Sequence, residues 1–148
     1  MKHLLTILAI LFTLTIQAQW SYSGNRYWTP NGNTASGDYS TAMGYFTKAT
    51  GDYSTAMGTQ TTASAYFSTA LGASTIASGR YSTAMGISSI ASDFASTVIG
   101  QYNLSGSTAT SAINYSELAP AFVIGNGSPN TKSDAFSVLF NGNTTIGG

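Results

Sequence analysis

The chain has 148 residues, no cysteine, a formal net charge of zero and only 7% charged residues. The lack of cysteine excludes a disulfide-stabilised fold, and the lack of a basic patch argues against nucleic acid as a partner. The one histidine, His3, lies at the N-terminus, so the remaining chain lacks the usual base for a serine nucleophile and the usual zinc ligands. We therefore predict a non-enzymatic protein that needs no cofactor and no metal ion.

Residues 1–18 have the pattern of a secretory signal peptide. Lys2 is the charged start, Leu4 to Ile16 is apolar, and Ala18 precedes the predicted cleavage site. About 13 apolar residues are too few to span a bilayer, so we expect no transmembrane segment in the mature chain. The signal predicts that the chain is exported.

Residues 19–34 are aromatic for so short a segment, with Trp20, Tyr22, Tyr27 and Trp28. We interpret the segment as a cap over the first unit of the repeats that follow, because terminal repeats otherwise expose an unpaired edge. A sugar-binding aromatic platform is the alternative.

Residues 35–106 contain one 14-residue unit repeated five times without insertion, beginning with GDYSTAMGYFTKAT at Gly37. Units this short cannot bury their apolar side chains alone and must stack on their neighbours, which predicts a solenoid. Fourteen residues accommodate two short strands and two turns, so we predict an all-β roll of about five coils. The second strand is expected near residues 46–49, before the Ala49 column.

Alternation in steps of two divides the longer strand into two faces, and we assign the larger apolar residues to the interior. The predicted core ladder consists of Met43, Met57, Leu71, Met85 and Ile99. The fixed glycines are expected at turns that need positive φ or close backbone approach: Gly44, Gly58, Gly72, Gly86 and Gly100.

The opposite face carries only small residues, although a solvent-exposed face has no reason to avoid charge. We therefore expect it to pack against other copies of the chain. Its residues are Ser40, Ala42, Ser54, Ala56, Ser68, Ala70, Ser82 and Ala84.

One column of aromatic residues lies at a coil edge: Tyr39, Tyr53, Phe67 and Tyr81. It is a candidate contact for a ligand such as a glycan or a collagen-like strand, or a purely structural ladder. Asp38 and Asp52 recur one coil apart beside it, and they fit solvated turn aspartates better than glycosidase carboxylates or a calcium site.

After Gly106 the repeat decays. In residues 107–148 we predict a short C-terminal β-hairpin or tail segment, with strands near Ala121 and Asp134 and turn signals at Asn126-Gly127 and Asn141-Gly142.

The repeated block resembles the head repeats of trimeric autotransporter adhesins, the YadA-like head family. The family block Ser-x-Ala-apolar-Gly is matched at Ser40–Gly44 and at each of the four following units, with Val98 replacing Ala in the last. The resemblance covers about half of the chain. It implies a left-handed parallel β-roll and a homotrimer with three chains side by side. It also implies attachment at the bacterial cell surface or outer membrane, with release into the medium as the alternative.

The stalk, membrane barrel and chaperone domain that follow such heads in relatives are not seen in this sequence. It is therefore expected to be either a secreted minimal head or a fragment of a longer fibre.

Our first functional hypothesis is a non-enzymatic adhesin-like head that attaches to host matrix proteins or glycans. The alternative is an ice- or crystal-binding solenoid that uses the threonine ladder Thr41, Thr55, Thr69, Thr83 and Thr97. The side to which this ladder points discriminates between the two, because a ladder inside the coil cannot contact ice. An enzyme is disfavoured by the poverty of titratable groups.

Overall fold

The computed structural model describes the backbone of residues 20–22 and the whole of residues 32–147, which form strands and turns without a helix. The predicted signal peptide lies outside this part of the chain, as do Tyr27 and Trp28. The strands are β1 Trp20–Tyr22, β2 Thr34–Ala35, β3 Thr41–Tyr45, β4 Lys48–Ala49, β5 Thr55–Thr59, β6 Thr62–Ala63, β7 Thr69–Ala73, β8 Ile76–Ala77, β9 Thr83–Ile87, β10 Ile90–Ala91, β11 Thr97–Gln101, β12 Pro120–Asn126, β13 Asp134–Leu139 and β14 Thr144–Ile146.

Each repeat forms one coil with a five-residue strand and a two-residue strand. The long strands β3, β5, β7, β9 and β11 pair in parallel, with Met43 opposite Met57 and so on along the rod. The short strands pair in parallel in a second sheet, with Ala49 opposite Ala63. Every residue thus lies beside its equivalent in the next coil, which confirms the parallel β-solenoid of about five turns.

The strands after the repeats extend the first sheet. Strand β12 pairs in parallel with β11, with Val123 opposite Val98 and Gly125 opposite Gly100. The segment around Val123 therefore forms a sixth long strand in the register of the repeats, although additional residues separate it from β11 in the sequence. Strands β13 and β14 then add in antiparallel fashion, and at the other end β1 pairs antiparallel with β3.

The interior of the coils is filled by small side chains, which corrects the predicted assignment of faces. The alanines of the long strands are fully buried, and so are the alanines of the short strands that face them, such as Ala42 and Ala49. Ser40 and Thr47 complete the inner lining of the coil and are also buried. The residues assigned to an intermolecular packing face therefore line the coil: Ser40, Ala42, Ser54, Ala56, Ser68, Ala70, Ser82 and Ala84.

The predicted core ladder lies on the outside of the coil. Met43, Met57 and Met85 are 36%, 40% and 43% exposed. The other two members of the column, Leu71 and Ile99, are half-buried. Alternation correctly separated the two faces but did not show which one points inward. The wrong choice followed from assuming that the larger residues go inside, whereas two sheets joined by such short turns leave room for little more than a methyl or hydroxyl group.

The serine column has a definite role in the narrow interior. The hydroxyl of Ser40 donates to the carbonyl oxygen of Gly37 at 2.7 Å, and Ser96 does the same to Asp93 at 2.8 Å. These bonds close the turns that precede β3 and β11 and satisfy a buried hydroxyl at the same time.

The glycine column meets the predicted conditions, although it lies within the long strands rather than in the turns. Gly44 has a φ of 131° and Gly58 one of 122°. A Cβ atom on Gly44 would overlap the carbonyl oxygen of Gly58 in the next coil. Only glycine allows the stacked backbones to approach this closely.

The turns themselves use non-glycine residues in the left-handed region. Tyr39 has a φ of 55° at one corner of the coil, and Phe46 one of 53° at the other. Because Phe46 is in this conformation, the second strand begins at Lys48, later than the predicted start at residue 46.

Candidate interaction surfaces

The outer side of the long strands forms a flat surface, which we call the Thr–Met face. It contains the Thr41 column, the Met43 column and the column that begins with Tyr45. None of these three columns contains a charged residue. The threonines are half-buried, whereas the methionines are more open. An uncharged, regular face of this kind on a surface strand is suited to contact with another protein.

The aromatic column forms a continuous stack at the corner before the long strands, which we call the aromatic corner. The ring centroids of Tyr39 and Tyr53 are 5.1 Å apart, those of Tyr53 and Phe67 4.7 Å, and those of Phe67 and Tyr81 5.5 Å. All three pairs are within 14° of parallel. The four rings are 43–63% exposed, so the column is a surface feature of the chain.

A second row of side chains borders this stack. The ring of Tyr66 lies edge-on to Tyr53 and to Tyr81, at centroid distances of 5.6 and 6.0 Å. The guanidinium carbon of Arg80 lies 5.3 Å from the centre of the Tyr66 ring, within cation–π distance. The aromatic corner is therefore acidic at its Asp38 and Asp52 end and basic at Arg80.

Stacking determines which part of each ring a ligand can contact. Neighbouring rings cover each other's faces, so the middle of the corner presents ring edges and phenol groups. Stacking of a sugar against an aromatic platform needs an open ring face. The corner is thus better suited to an extended ligand that lies across the ring edges than to sugars packed on ring faces.

The aspartates beside the corner have a structural role in the turn. The Asp52 carboxylate accepts a hydrogen bond from the backbone N–H of Asp38 at 2.9 Å. The pKa of Tyr53 is raised, mainly by partial desolvation of its phenol in the stack. Smaller contributions come from the phenols of Tyr66 and Tyr39 and from the charges of Asp38 and Asp52. The Tyr53 phenol therefore stays protonated to higher pH than a free tyrosine.

Sequence reasoning did not identify the two carboxylates that hold the loop between β11 and β12. The side chain of Asp93 is fully buried, and its Oδ1 accepts the backbone N–H groups of Thr110 and Ser111, both at 2.6 Å. At the start of the loop, the Asp134 carboxylate accepts the N–H groups of Leu104 and Ser105, both at 2.8 Å. Asp93 is the last member of the column that contains Gly37, Gly51, Ala65 and Gly79. The change from a small residue to an acidic one was the feature of the sequence that could have identified this position.

A second missed residue ends the short-strand sheet. Asn103 is fully buried; its side chain accepts the N–H of Ile90 at 2.7 Å and donates to the carbonyl oxygen of Ile90 at 2.9 Å. The amide therefore pairs with β10 as another strand would. The column begins with Asn33 and continues with Thr47, Thr61, Thr75 and Ser89, so the return to Asn at its end marked the position.

Within residues 20–22 and 32–147, no group of three or more His, Cys, Asp or Glu side chains could hold a metal ion. The same residues contain no helix with the length and apolar character needed to cross a membrane.

Comparison with known protein families identifies the repeats. The family model described as the YadA head domain repeat matches residues 31–47, 35–60, 49–75 and 77–103. No curated protein and no solved structure gives a significant match to the chain.

Proposed function

Because the repeats of residues 31–103 belong to the YadA head repeat family, we propose that the protein is a non-enzymatic, adhesin-like head module exported to a bacterial surface. The observation that carries the proposal is the family match on a solenoid whose exposed apolar and aromatic side chains repeat once per coil. Such ladders provide an extended contact surface without catalytic groups. Export rests on the predicted signal peptide.

The first part of the proposal is a homotrimer formed through the Thr–Met face. The small-residue face is already buried within each coil, whereas the Thr–Met face is apolar, flat and open. The interior holds little more than methyl and hydroxyl groups, so burial of the methionines between chains would add stabilisation that the coil lacks, about 1.5–3 kcal/mol for each fully buried side chain. Proteins of this family are typically trimeric.

Light scattering across a dilution series of the chain without residues 1–18 tests this association. We expect three chain masses for the parent protein and a smaller mass for Met57→Asp, because a carboxylate would be desolvated at the interface. Ile76→Asp is the matched control, since Ile76 is 37% exposed on the short-strand sheet and Met57 40% exposed on the Thr–Met face. Equal effects of the two substitutions, or a monomeric parent, would contradict the trimer.

The second part of the proposal is attachment through the aromatic corner to an extended polymer. Two coils advance about 9.6 Å along the rod, from a strand spacing of about 4.8 Å. Three residues of a polyproline-type strand advance about 9.3 Å. A collagen-like strand lying along the corner could therefore meet every second ring edge with the same side of its backbone.

Adhesion to a collagen film and to a panel of immobilised glycans tests this assignment. We expect the parent protein to bind the film, Tyr53→Ala to lose most of this binding, and Tyr115→Ala to retain it. Tyr115 is a suitable control because it is 57% exposed and lies outside the aromatic corner. Binding that is unchanged in Tyr53→Ala would exclude the corner as the contact, and binding to glycans alone would redirect the proposal to sugars.

Ice or crystal binding remains a second candidate because of one observation. The threonine ladder lies on the outer side of the long strands, so it is not hidden in the coil as alternation with a buried methionine column had suggested. This function would need the Thr–Met face to be free, which the trimer would prevent. Thermal hysteresis that is present in the parent and lost in Thr69→Tyr would support it, and a parent without hysteresis would end it.

A further inference from the structure

We propose that the aromatic corner is a site of oxidative tyrosine cross-linking, at which dityrosine bonds join successive coils of the same chain. The proposal concerns the covalent chemistry of the corner and does not depend on attachment. Its chemical partner is hydrogen peroxide acting with a haem peroxidase.

Tyrosines are unusually close together at this corner. Tyr39 and Tyr53 stack at 5.1 Å, Tyr53 and Tyr66 meet edge-on at 5.6 Å, and Tyr66 and Tyr81 at 6.0 Å. Four phenol rings on four successive coils therefore form one connected series. Phe67 occupies the remaining position of the stack, 4.7 Å from Tyr53 and 5.5 Å from Tyr81.

Exposure makes these rings accessible to an oxidant and leaves them room to turn. Tyr39 is 63% exposed, Tyr53 43% and Tyr81 47%. Cross-linking needs an ortho carbon of one ring to approach an ortho carbon of the next. Because successive coils are about 4.8 Å apart, side-chain rotation can bring the ortho carbons of neighbouring rings in one column together.

The reaction balances with peroxide as the oxidant. Each phenol loses one electron and one proton, and the two tyrosyl radicals form a carbon–carbon bond between their ortho carbons. Each ring then loses the hydrogen on its newly bonded carbon as a proton, and its oxygen takes up a proton. Both rings thereby become aromatic phenols again. In total, two tyrosines and one hydrogen peroxide give one dityrosine and two water molecules.

The chain has no cysteine, so disulfide bonds cannot link its coils. A dityrosine between Tyr39 and Tyr53 would close a loop of one coil and restrict the unfolded chain much as a disulfide does. Cross-linking would thus fasten coils that are otherwise held by backbone hydrogen bonds and small buried side chains.

Tryptic mapping after treatment with peroxide and peroxidase tests the proposal on the folded chain. Cleavage after Lys48 and Arg80 places Tyr39, the pair Tyr53 and Tyr66, and Tyr81 on three different peptides. We expect linked peptides that are lighter by two hydrogen atoms than the sum of their parts for the Tyr39–Tyr53 and Tyr66–Tyr81 links, and a single peptide lighter by two hydrogen atoms for the Tyr53–Tyr66 link. Dityrosine fluorescence should accompany both. Fragment ions assign the linked tyrosines.

Three variants make the test specific. Tyr53→Phe keeps the ring stack but should lose the cross-links of Tyr53 to Tyr39 and Tyr66, while the link between Tyr66 and Tyr81 remains. Tyr115→Phe, whose ring contact within residues 32–147 is with Phe140, should leave all three links in place. Phe67→Tyr should increase the yield by completing the stack.

A mixture of isotopically heavy and light chains separates links within a chain from links between chains. Links within one chain that disappear in Tyr53→Phe would support the proposal. Links that form only between chains, a total dityrosine yield that is the same in the parent and in Tyr53→Phe, or no dityrosine in a protein whose circular dichroism shows it to be folded would overturn it.

Discussion

Ala56 illustrates how narrow each coil is at the scale of a residue. It is fully buried between Ala42 and Ala70 of the adjacent coils, in an interior lined by alanine, serine and threonine. Its neighbour Met57 points the other way and is 40% exposed. A change in side-chain size should therefore be tolerated at Met57 but not at Ala56, although the two residues are adjacent and both apolar.

We expect Ala56→Leu to destabilise the protein by about 1–3 kcal/mol or more, because a larger side chain in a filled interior forces the two sheets apart. Met57→Leu changes shape on the outer face and should cost less than about 1.5 kcal/mol. Denaturant unfolding followed by circular dichroism measures both. If the two variants unfolded at the same midpoint, the inward assignment of the alanine column would be wrong.

The 14-residue repeat is interrupted by the loop between β11 and β12, which is irregular in structure. The loop carries several exposed apolar side chains, including Ile113 and Tyr115, which are 59% and 57% exposed. Buried Asp93 supports its middle, and Asp134 supports its first residues. Two carboxylates that accept backbone N–H groups therefore anchor the loop, and such hydrogen bonds are among the stronger ones in proteins.

Asp93→Ala should release the middle of this loop while the coils remain folded. Loss of a buried carboxylate that accepts two N–H groups is expected to lower the free energy of local opening by about 1–3 kcal/mol. Hydrogen exchange at Thr110 and Ser111 measures the opening. Asp52→Ala, which removes an exposed carboxylate that accepts one N–H group, should leave exchange at these amides unchanged, and an equal change in both variants would contradict the anchoring role.

At the scale of the whole molecule, the protein is a one-dimensional array in which each coil contacts its two neighbours. Stability in such arrays is approximately the sum of the repeat and interface contributions. The residues at the ends differ from the repeats: β1 and the β13–β14 pair are antiparallel, and Asn103 pairs with the last short strand. Strand β1 thus occupies the outer edge of β3, and Asn103 that of β10, where another coil could otherwise add.

Deletion of residues 52–65, one full period, should leave a shorter but folded rod with a lower midpoint of thermal unfolding. Deletion of residues 52–58, half a period, should prevent folding, because inward and outward residues would no longer stack on their equivalents. Circular dichroism and thermal melts distinguish the two outcomes. A folded half-period deletion would show that register is not what defines the fold.

The sequence by itself determined the period, the positions of the long strands and the resemblance of the repeats to the YadA head family. Fixed columns such as Ser40, Ala42 and Gly44 repeat every 14 residues, and only stacked coils satisfy such a pattern. Alternation also separated Ala42 from Met43 correctly. The inward direction was beyond sequence reasoning, because both faces are largely uncharged and the width of the coil depends on how the two sheets close.

The tertiary structure decided that width, and with it which face each chain leaves open. It also showed that Val123 continues the column of Val98 despite the insertion, since strand pairing depends on backbone register and not on distance along the chain. Finally, it brought together side chains that are far apart in sequence, namely Asp93 with Thr110 and Asp134 with Leu104. These contacts depend on the path of an irregular loop, for which the repeat pattern contains no information.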